Sequence, residues 1–155
     1  MKTLISILAL TTAIATPVAV AAKPVTITAQ MKNYRGSGAY LAIYVADKSG
    51  AYKGTLWMAG GKSKYYKHLL GWQRATRGDR GQVRGITGAS VGAGRTLKIT
   101  LDLSDALFDA GYTMHVDAAV EDYRESPSDV VIPLNSANAG KPARGKHFIS
   151  SFSFE

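Results

Sequence analysis

The chain has 155 residues, a formal net charge of +8 and no cysteine. This length suits one domain rather than two, and the lack of cysteine excludes disulfides, zinc–thiolate sites and c-type haem attachment. A basic chain often binds nucleic acid. Export from the cytoplasm, argued next, speaks against a nucleic-acid partner and favours a phosphate-bearing ligand or an anionic membrane face.

The N-terminus has the form of a bacterial secretory signal peptide. Lys2 is followed by the apolar run TLISILALTTAIATPVAVAA, in which Ala19-Val20-Ala21 is a small-x-small cleavage site. An uncleaved membrane anchor is the alternative; the run is long enough for one, but its threonines and Pro17 weaken that interpretation. We predict a signal peptide over residues 1–22, a single domain over residues 23–155, and a periplasmic location.

Most of the remaining chain has strand-like patterns. The segment VTITAQMK is apolar at every second residue, as in a half-buried strand, whereas AYLAIYVAD is apolar almost throughout, as in a strand covered on both faces. The second of these runs and AYKGTLWMAG flank the short turn KSG, which predicts a hairpin. The predicted strands are residues 25–32, 39–47, 51–60, 96–103, 111–122, 129–135 and 147–155.

A single helix is predicted among these strands. The segment SKYYKHLLGWQRAT predicts one short amphipathic helix over residues 63–76 with Ser63 as its N-cap. Lys64 and Lys67 fall in its first turn, where the dipole disfavours cations. A bound anion would relieve this, and two side chains directed into water are the simpler alternative. The whole pattern predicts an all-β fold: an immunoglobulin-like antiparallel β-sandwich with one short inserted helix.

Catalytic patterns are sparse. The three histidines are far apart in sequence, and no metalloprotease, serine-hydrolase, phosphate-loop or calcium-loop pattern is present. His115 lies in a strand-like segment, and we expect it to be a structural residue. We therefore predict no catalytic residue and no metal site. The glycine-rich stretch over residues 76–95 is predicted as a long loop, and loops of this length are often functional.

The order of these pieces resembles the predicted periplasmic proteins grouped under domain of unknown function 2271. The hairpin YLAIYVAD-KSG-AYKGTLW is followed by KSKYYKHLLGW, then by a Thr-Gly-Ala-Ser loop, and then by the strands GYTMHVDAAVED and DVVIPL. The pieces run from about Tyr40 to the end of the chain and cover nearly the whole mature protein. The resemblance depends on the set, because no single piece would suffice.

The loop RGITGAS also resembles the acceptor site of flavin-transferase substrates, such as the flavin-bearing subunits of respiratory ion pumps. Their pattern is Asp-x-x-Ser/Thr-Gly-Ala-Thr/Ser, and its last hydroxyl is joined to flavin mononucleotide (FMN) by a phosphodiester bond. Thr87, Gly88, Ala89 and Ser90 match, so Ser90 is the implied acceptor, while Arg84 stands where the pattern has aspartate. A flexible glycine-rich loop would give the hydroxyl access to another protein's active site. A turn that carries nothing is the alternative, since such strings are common.

The resemblance implies a periplasmic electron carrier with covalent FMN, with a flavin transferase and a membrane redox protein as partners and a link to iron or metal assimilation. The phosphate is predicted to be compensated by nearby cations, Lys64, Lys67, Arg77, Arg80 and Arg84. The ring is predicted to stack on Trp72, Tyr65 or Tyr66. Such a protein is a redox carrier rather than a classical enzyme. The alternative is a periplasmic binding module without flavin, whose basic helix docks an acidic partner, a lipid headgroup or a small anion. The oligomeric state is left open.

Overall fold

The computed structural model describes residues 21–155, so the predicted signal peptide lies outside this part of the chain except for Ala21 and Ala22. The described strands are β1 (Ala22–Met31), β2 (Tyr40–Ala46), β3 (Tyr52–Ala59), β4 (Thr87–Gly88), β5 (Thr96–Ser104), β6 (Thr113–Ala119), β7 (Ser126–Pro133) and β8 (Ile149–Phe154). The α-helix α1 spans Leu70–Thr76, and 3-10 helices span Ser63–His68, Arg80–Val83 and Asp105–Leu107.

The strands form two sheets that face each other across the main core. One sheet has the order β5-β1-β8 and the other the order β4-β3-β2-β6-β7. The pairs are antiparallel except for the short parallel pair of β3 with β4. The alternating apolar side chains of β1, Val25 through Met31, are buried between the sheets with those of β8. The predicted all-β sandwich with one inserted α-helix is confirmed.

Strand β2 is buried on both of its faces, as its continuous apolar run predicts. Leu41 and Ile43 point into the main core between the sheets, while Ala42 and Tyr44 belong to a second apolar cluster on the outer face of the five-stranded sheet. This outer cluster is covered by the segment 63–76, which contributes Tyr66, Leu69 and Trp72. The inserted segment therefore packs on the sheet and leaves a cavity at each of its two ends.

The inserted segment is not one helix, and this part of the prediction is wrong. The 3-10 helix ends at His68, Leu69 has the non-helical angles φ −84° and ψ 79°, and α1 begins at Leu70. Ser63 is the first residue of the 3-10 helix rather than its cap, because Lys62 holds the cap position without a side-chain bond. The Leu69 N–H donates to the Tyr66 carbonyl at 3.1 Å, and both side chains are buried in the outer apolar cluster.

The glycine-rich stretch 76–95 is more regular than the predicted loop. Asp79 caps the 3-10 helix Arg80–Val83 by accepting a hydrogen bond of 2.9 Å from the Gly81 N–H. This bond, with a second from Gln82, lowers the pKa of Asp79 below its usual value. Strand β4 follows at the edge of the five-stranded sheet.

No helix within residues 21–155 is long and apolar enough to cross a membrane.

Candidate functional site

Ser90 lies on the surface at the edge of the five-stranded sheet, and its backbone is held on both sides. Before it, the Gly60 N–H donates to the Gly88 carbonyl at 2.8 Å as β4 pairs with β3. After it, Val91 and Ala39 exchange two backbone hydrogen bonds of 2.7 and 2.9 Å. The side chain of Ser90 is exposed. The hydroxyl is therefore accessible, but on a short fixed segment rather than on the flexible loop expected.

Two glycines make room for this segment. A Cβ atom added to Gly38 would lie 2.8 Å from Ser90 Oγ, so the absent side chain leaves the space that the hydroxyl occupies. A Cβ atom on Gly88 would lie 2.7 Å from Cζ2 of the Trp57 ring. Gly88 is thus explained by close packing of the strand edge on Trp57, in addition to any requirement of a modifying enzyme.

A cavity of about 510 Å³ opens beside Ser90, between the 3-10 helix Ser63–His68 and the connection from β6 to β7. This volume lies within the range of small-molecule pockets. We call it the Ser90 cavity; it is lined by Ser37, Gly38, Tyr40, Lys62, Tyr65, His68, Ser90, Ala119, Val120, Glu121, Asp122, Tyr123 and Glu125. Tyr65 and Tyr123 are 37% and 43% exposed, and they are two of the four large hydrophobic side chains that are exposed within residues 21–155.

The charged groups of the Ser90 cavity are mainly carboxylates. Glu121, Asp122 and Glu125 line it together with Lys62 and His68. His68 Nδ1 lies 2.9 Å from Glu125 Oε1, and this hydrogen bond lowers the pKa of the Glu125 carboxyl. The cavity therefore combines exposed aromatic faces with hydrogen-bond acceptors and a few donors.

Residues 22–151 match the family model described as predicted periplasmic protein (DUF2271). The chain belongs to this family. No curated protein and no solved structure matches it significantly. The DUF2271 description gives a periplasmic location, which agrees with the export predicted from the N-terminal sequence. The description names no activity and no cofactor.

In this DUF2271 protein some of the predicted site residues line the Ser90 cavity or lie beside it, and others are directed elsewhere. Ser90 and Tyr65 line the same cavity. Lys64 lies beside it, with its Nζ 5.0 Å from the centroid of the Tyr65 ring. Arg77 is exposed and follows the last residue of α1 in a left-handed conformation, with φ 56°, and does not line the cavity. Thr87 turns away, because its Oγ1 donates to the Val83 carbonyl at 2.7 Å.

The predicted stacking role of Trp72 needs correction. Trp72 is fully buried in the outer apolar cluster, and its indole N–H donates to Thr55 Oγ1 at 2.9 Å. A ligand cannot reach this ring without displacing the inserted segment from the sheet. Trp72 is therefore a core residue of this domain, and Tyr65 is the aromatic residue of the inserted segment that lines the cavity.

Sequence reasoning missed most of the cavity wall. Gly38 and Tyr40, at the start of β2, are separated from Ser90 by β3, the inserted segment and a 3-10 helix, and Tyr123 and Glu125 follow it after β5 and β6. The strand register brings them together, and no local pattern reveals this. The one signal in the sequence is Tyr123 itself, an aromatic residue within the polar run EDYRES.

A second cavity, of about 500 Å³, opens at the other end of the inserted segment and is lined in part by Tyr44, Arg74 and His115. Both ring nitrogens of His115 are bonded to hydroxyls at 3.0 Å, those of Thr113 and Ser128. Burial lowers the pKa of His115. These contacts agree with the structural role expected of His115. Within residues 21–155, no group of three or more His, Asp or Glu side chains is arranged to hold a metal ion.

Proposed function

We propose that this DUF2271 protein is a periplasmic electron carrier with FMN attached to Ser90 Oγ through a phosphodiester bond. The observation that carries the proposal is the position of the Thr-Gly-Ala-Ser hydroxyl, exposed at the wall of a cavity lined by tyrosines. The flavin, when bound, supplies reversible electron transfer, and the protein supplies attachment and surroundings.

The residues around Ser90 suit such a group. The space left by Gly38 lets the hydroxyl lie at the cavity wall without a steric neighbour on that side. Lys62 lines the same cavity and provides a cation for a phosphate. The surrounding basic stretch is also unpaired: within residues 21–155, none of its seven cations forms an ion pair with a carboxylate. These cations are Lys62, Lys64, Lys67, Arg74, Arg77, Arg80 and Arg84.

Attachment asks for little chemistry from the acceptor chain. The Ser90 oxygen attacks a phosphorus of the pyrophosphate in a flavin dinucleotide donor, a new P–O bond forms, and the P–O bond to the departing nucleotide monophosphate breaks. The serine proton passes to a base of the transferase, because a neutral hydroxyl is a poor nucleophile. The transferase also supplies the metal that polarises the pyrophosphate. The acceptor chain contributes an exposed hydroxyl. The two residues before it, Gly88 and Ala89, are small and place little side-chain bulk beside it.

The same unpaired cations favour a second candidate function, a periplasmic interaction module without flavin. Opposite charges steer encounter and fix orientation at protein interfaces. In this function the basic stretch docks an acidic partner protein, and Ser90 carries nothing. The two candidates differ in the covalent state of the native protein, which can be measured directly.

Mass spectrometry of protein purified from its native envelope tests the proposal. We expect the mature chain to be heavier by one FMN less one water, and to fluoresce in a denaturing gel. In cells that make the transferase, Ser90→Ala should remove both signals. Ser49→Ala is the matched control, because Ser49 is an exposed serine in the turn between β2 and β3 and does not line the cavity, and it should keep them. An unmodified native mass, or label retained in Ser90→Ala, would overturn the assignment.

Arg84→Asp tests the departure from the acceptor pattern. Arg84 is exposed and follows the 3-10 helix Arg80–Val83, so the substitution should leave the fold unchanged. If the transferase reads the aspartate of the pattern, the modified fraction should rise at equal transferase level. An unchanged fraction would show that this position does not limit the reaction.

A further inference from the structure

We infer that the Ser90 cavity is itself a binding site for a flat, uncharged heteroaromatic ring of the flavin class. The inference deepens the proposed function, because it places the attached ring against Tyr65 instead of free in solvent. Its physical basis is independent of the covalent bond. The cavity residues alone would recognise the ring, and an unmodified chain would bind a free flavin.

The first argument is that two exposed aromatic side chains of the cavity are packed edge-on against other aromatic rings. The Tyr123 hydroxyl donates to the Arg35 carbonyl at 2.6 Å, and its ring packs edge-on against Phe148 with centroids 5.7 Å apart. The Tyr65 ring meets the Tyr40 ring at 5.5 Å and 81°. Rings fixed in advance lose little conformational freedom when a ligand stacks on them. Exposed, ordered aromatic faces within one concavity are a feature of ligand sites.

The second argument concerns Tyr40, whose ring packs edge-on against the Tyr65 ring. A Cβ atom on Gly60 would overlap the Tyr40 ring, so the ring packs directly on the backbone there. The Tyr40 oxygen accepts a hydrogen bond of 3.1 Å from the Lys62 N–H. Tyr40 is thus positioned by the residues on either side of Gly61. Its ring in turn contacts the Tyr65 ring and positions it at the cavity wall.

The third argument is the polar pattern. The pyrimidine end of a flavin ring carries an N–H donor between two carbonyl acceptors. The cavity offers carboxylate acceptors that are already oriented, Glu125 by His68 at 2.9 Å and Glu121 by the Ser37 hydroxyl at 3.1 Å. Lys62 provides a donor. Carboxylates outnumber cations in the cavity wall. An uncharged ring is therefore favoured there over a free anionic ligand.

The test uses the mature protein made without a flavin transferase, so that Ser90 is unmodified. Riboflavin, which has the ring and no phosphate, is titrated by calorimetry and by NMR of the tyrosine ring signals, and soluble FMN extends the range to millimolar. A short link gives an effective concentration of roughly millimolar, so a dissociation constant below that range keeps the attached ring docked. We expect saturable binding that shifts the Tyr65 and Tyr40 signals.

Variants locate the ring. Tyr65→Ala should weaken binding by roughly tenfold, the scale of one lost stacking contact, and Tyr65→Phe should restore it. Leu70→Ala is the matched control, because Leu70 is also 37% exposed and does not line the cavity; it should leave binding unchanged. Should Tyr65→Ala lower the thermal midpoint, Tyr65→Leu keeps apolar bulk and removes only the ring.

Three results would overturn the inference: no saturable binding of either flavin, equal affinity in Tyr65→Ala and the parent, or competition by inorganic phosphate against riboflavin. These outcomes are separate from those of the attachment test. Riboflavin binding by a chain whose native mass is unmodified supports the ring site and refutes the covalent carrier. A modified native mass without riboflavin binding supports the carrier and refutes the docked ring.

Discussion

Replacing Asp117 with alanine is expected to loosen the contact between the inserted segment and the sheet. Asp117 is fully buried in β6. Its Oδ2 accepts from the Trp72 backbone N–H at 2.6 Å, and its Oδ1 accepts from the Ser128 N–H at 2.8 Å and the Tyr44 hydroxyl at 3.0 Å. One carboxylate therefore joins α1, β7 and β2.

The size of the effect follows from the donors that lose their partner. A buried donor without an acceptor costs about 1–3 kcal/mol. Tyr44 lines the second cavity, where its hydroxyl can turn to water, so the two backbone N–H groups carry most of the cost. We expect Asp117→Ala to lower the free energy of unfolding by about 4 kcal/mol, which corresponds to roughly 12–20 °C in the melting temperature of a domain this size. Asp117→Asn keeps one acceptor oxygen and should cost less.

Urea unfolding of the mature domain measures this loss, with tryptophan fluorescence as the signal, because Trp72 is fully buried beside the substitution. The slope with urea should be unchanged if only stability changes. Asp102→Ala is the control: Asp102 is exposed on β5, and its removal should stay within about 0.5 kcal/mol. A loss below about 1 kcal/mol for Asp117→Ala would show that the carboxylate does not hold α1 to the sheet.

Two further predictions concern the acceptor and the pH response. Gly38→Ala places a Cβ atom 2.8 Å from Ser90 Oγ and should reduce the flavin-labelled fraction, whereas Gly61→Ala, with no atom within 4 Å of its added Cβ, should not; equal labelling by mass would contradict the steric reasoning. Burial lowers the pKa of His115, although the charge of Asp117 opposes this shift. As the pH falls, the unfolded chain therefore binds the proton before the folded chain does, and stability should fall as the pH drops below about 6.5. His115→Gln should flatten this part of a stability-against-pH curve, and identical slopes from pH 7 to 5 would refute the assignment.

The strands follow from sequence because their signal is local. The alternation from Val25 to Met31 and the unbroken apolar run of β2 both report which faces are buried. The break at Leu69 has no such signal, since it is imposed by the fit of the inserted segment on the outer face of the sheet. The same limit explains why Trp72 and Tyr65, both predicted to stack on the ring, lie in different places, with Trp72 buried and Tyr65 at the cavity. Both are aromatic residues of one amphipathic segment, and only packing decides which of them the sheet covers.

Of the residues that line the candidate site, the sequence predicted Ser90 and Tyr65 but not the opposite wall. Ser90 was identified from a short motif, but its relation to Gly38 depends on the bridge between Ala39 and Val91, and its relation to Tyr123 depends on the course of β6. Contacts between residues so far apart in sequence follow from strand register. A single sequence does not specify that register residue by residue.

The double hydrogen bond between Ala39 and Val91 has a consequence for the order of events in the cell envelope. Before these two hydrogen bonds form, the backbone beside Ser90 has no partner there, and once they have formed Ser90 lies on the surface of the folded sheet. An enzyme that recognises the folded surface would not modify chains in which the sheet is incomplete. Modification of Ser90 would then occur only on folded protein. An enzyme that recognises the unpaired peptide would have to act after translocation and before the hydrogen bonds between Ala39 and Val91 form.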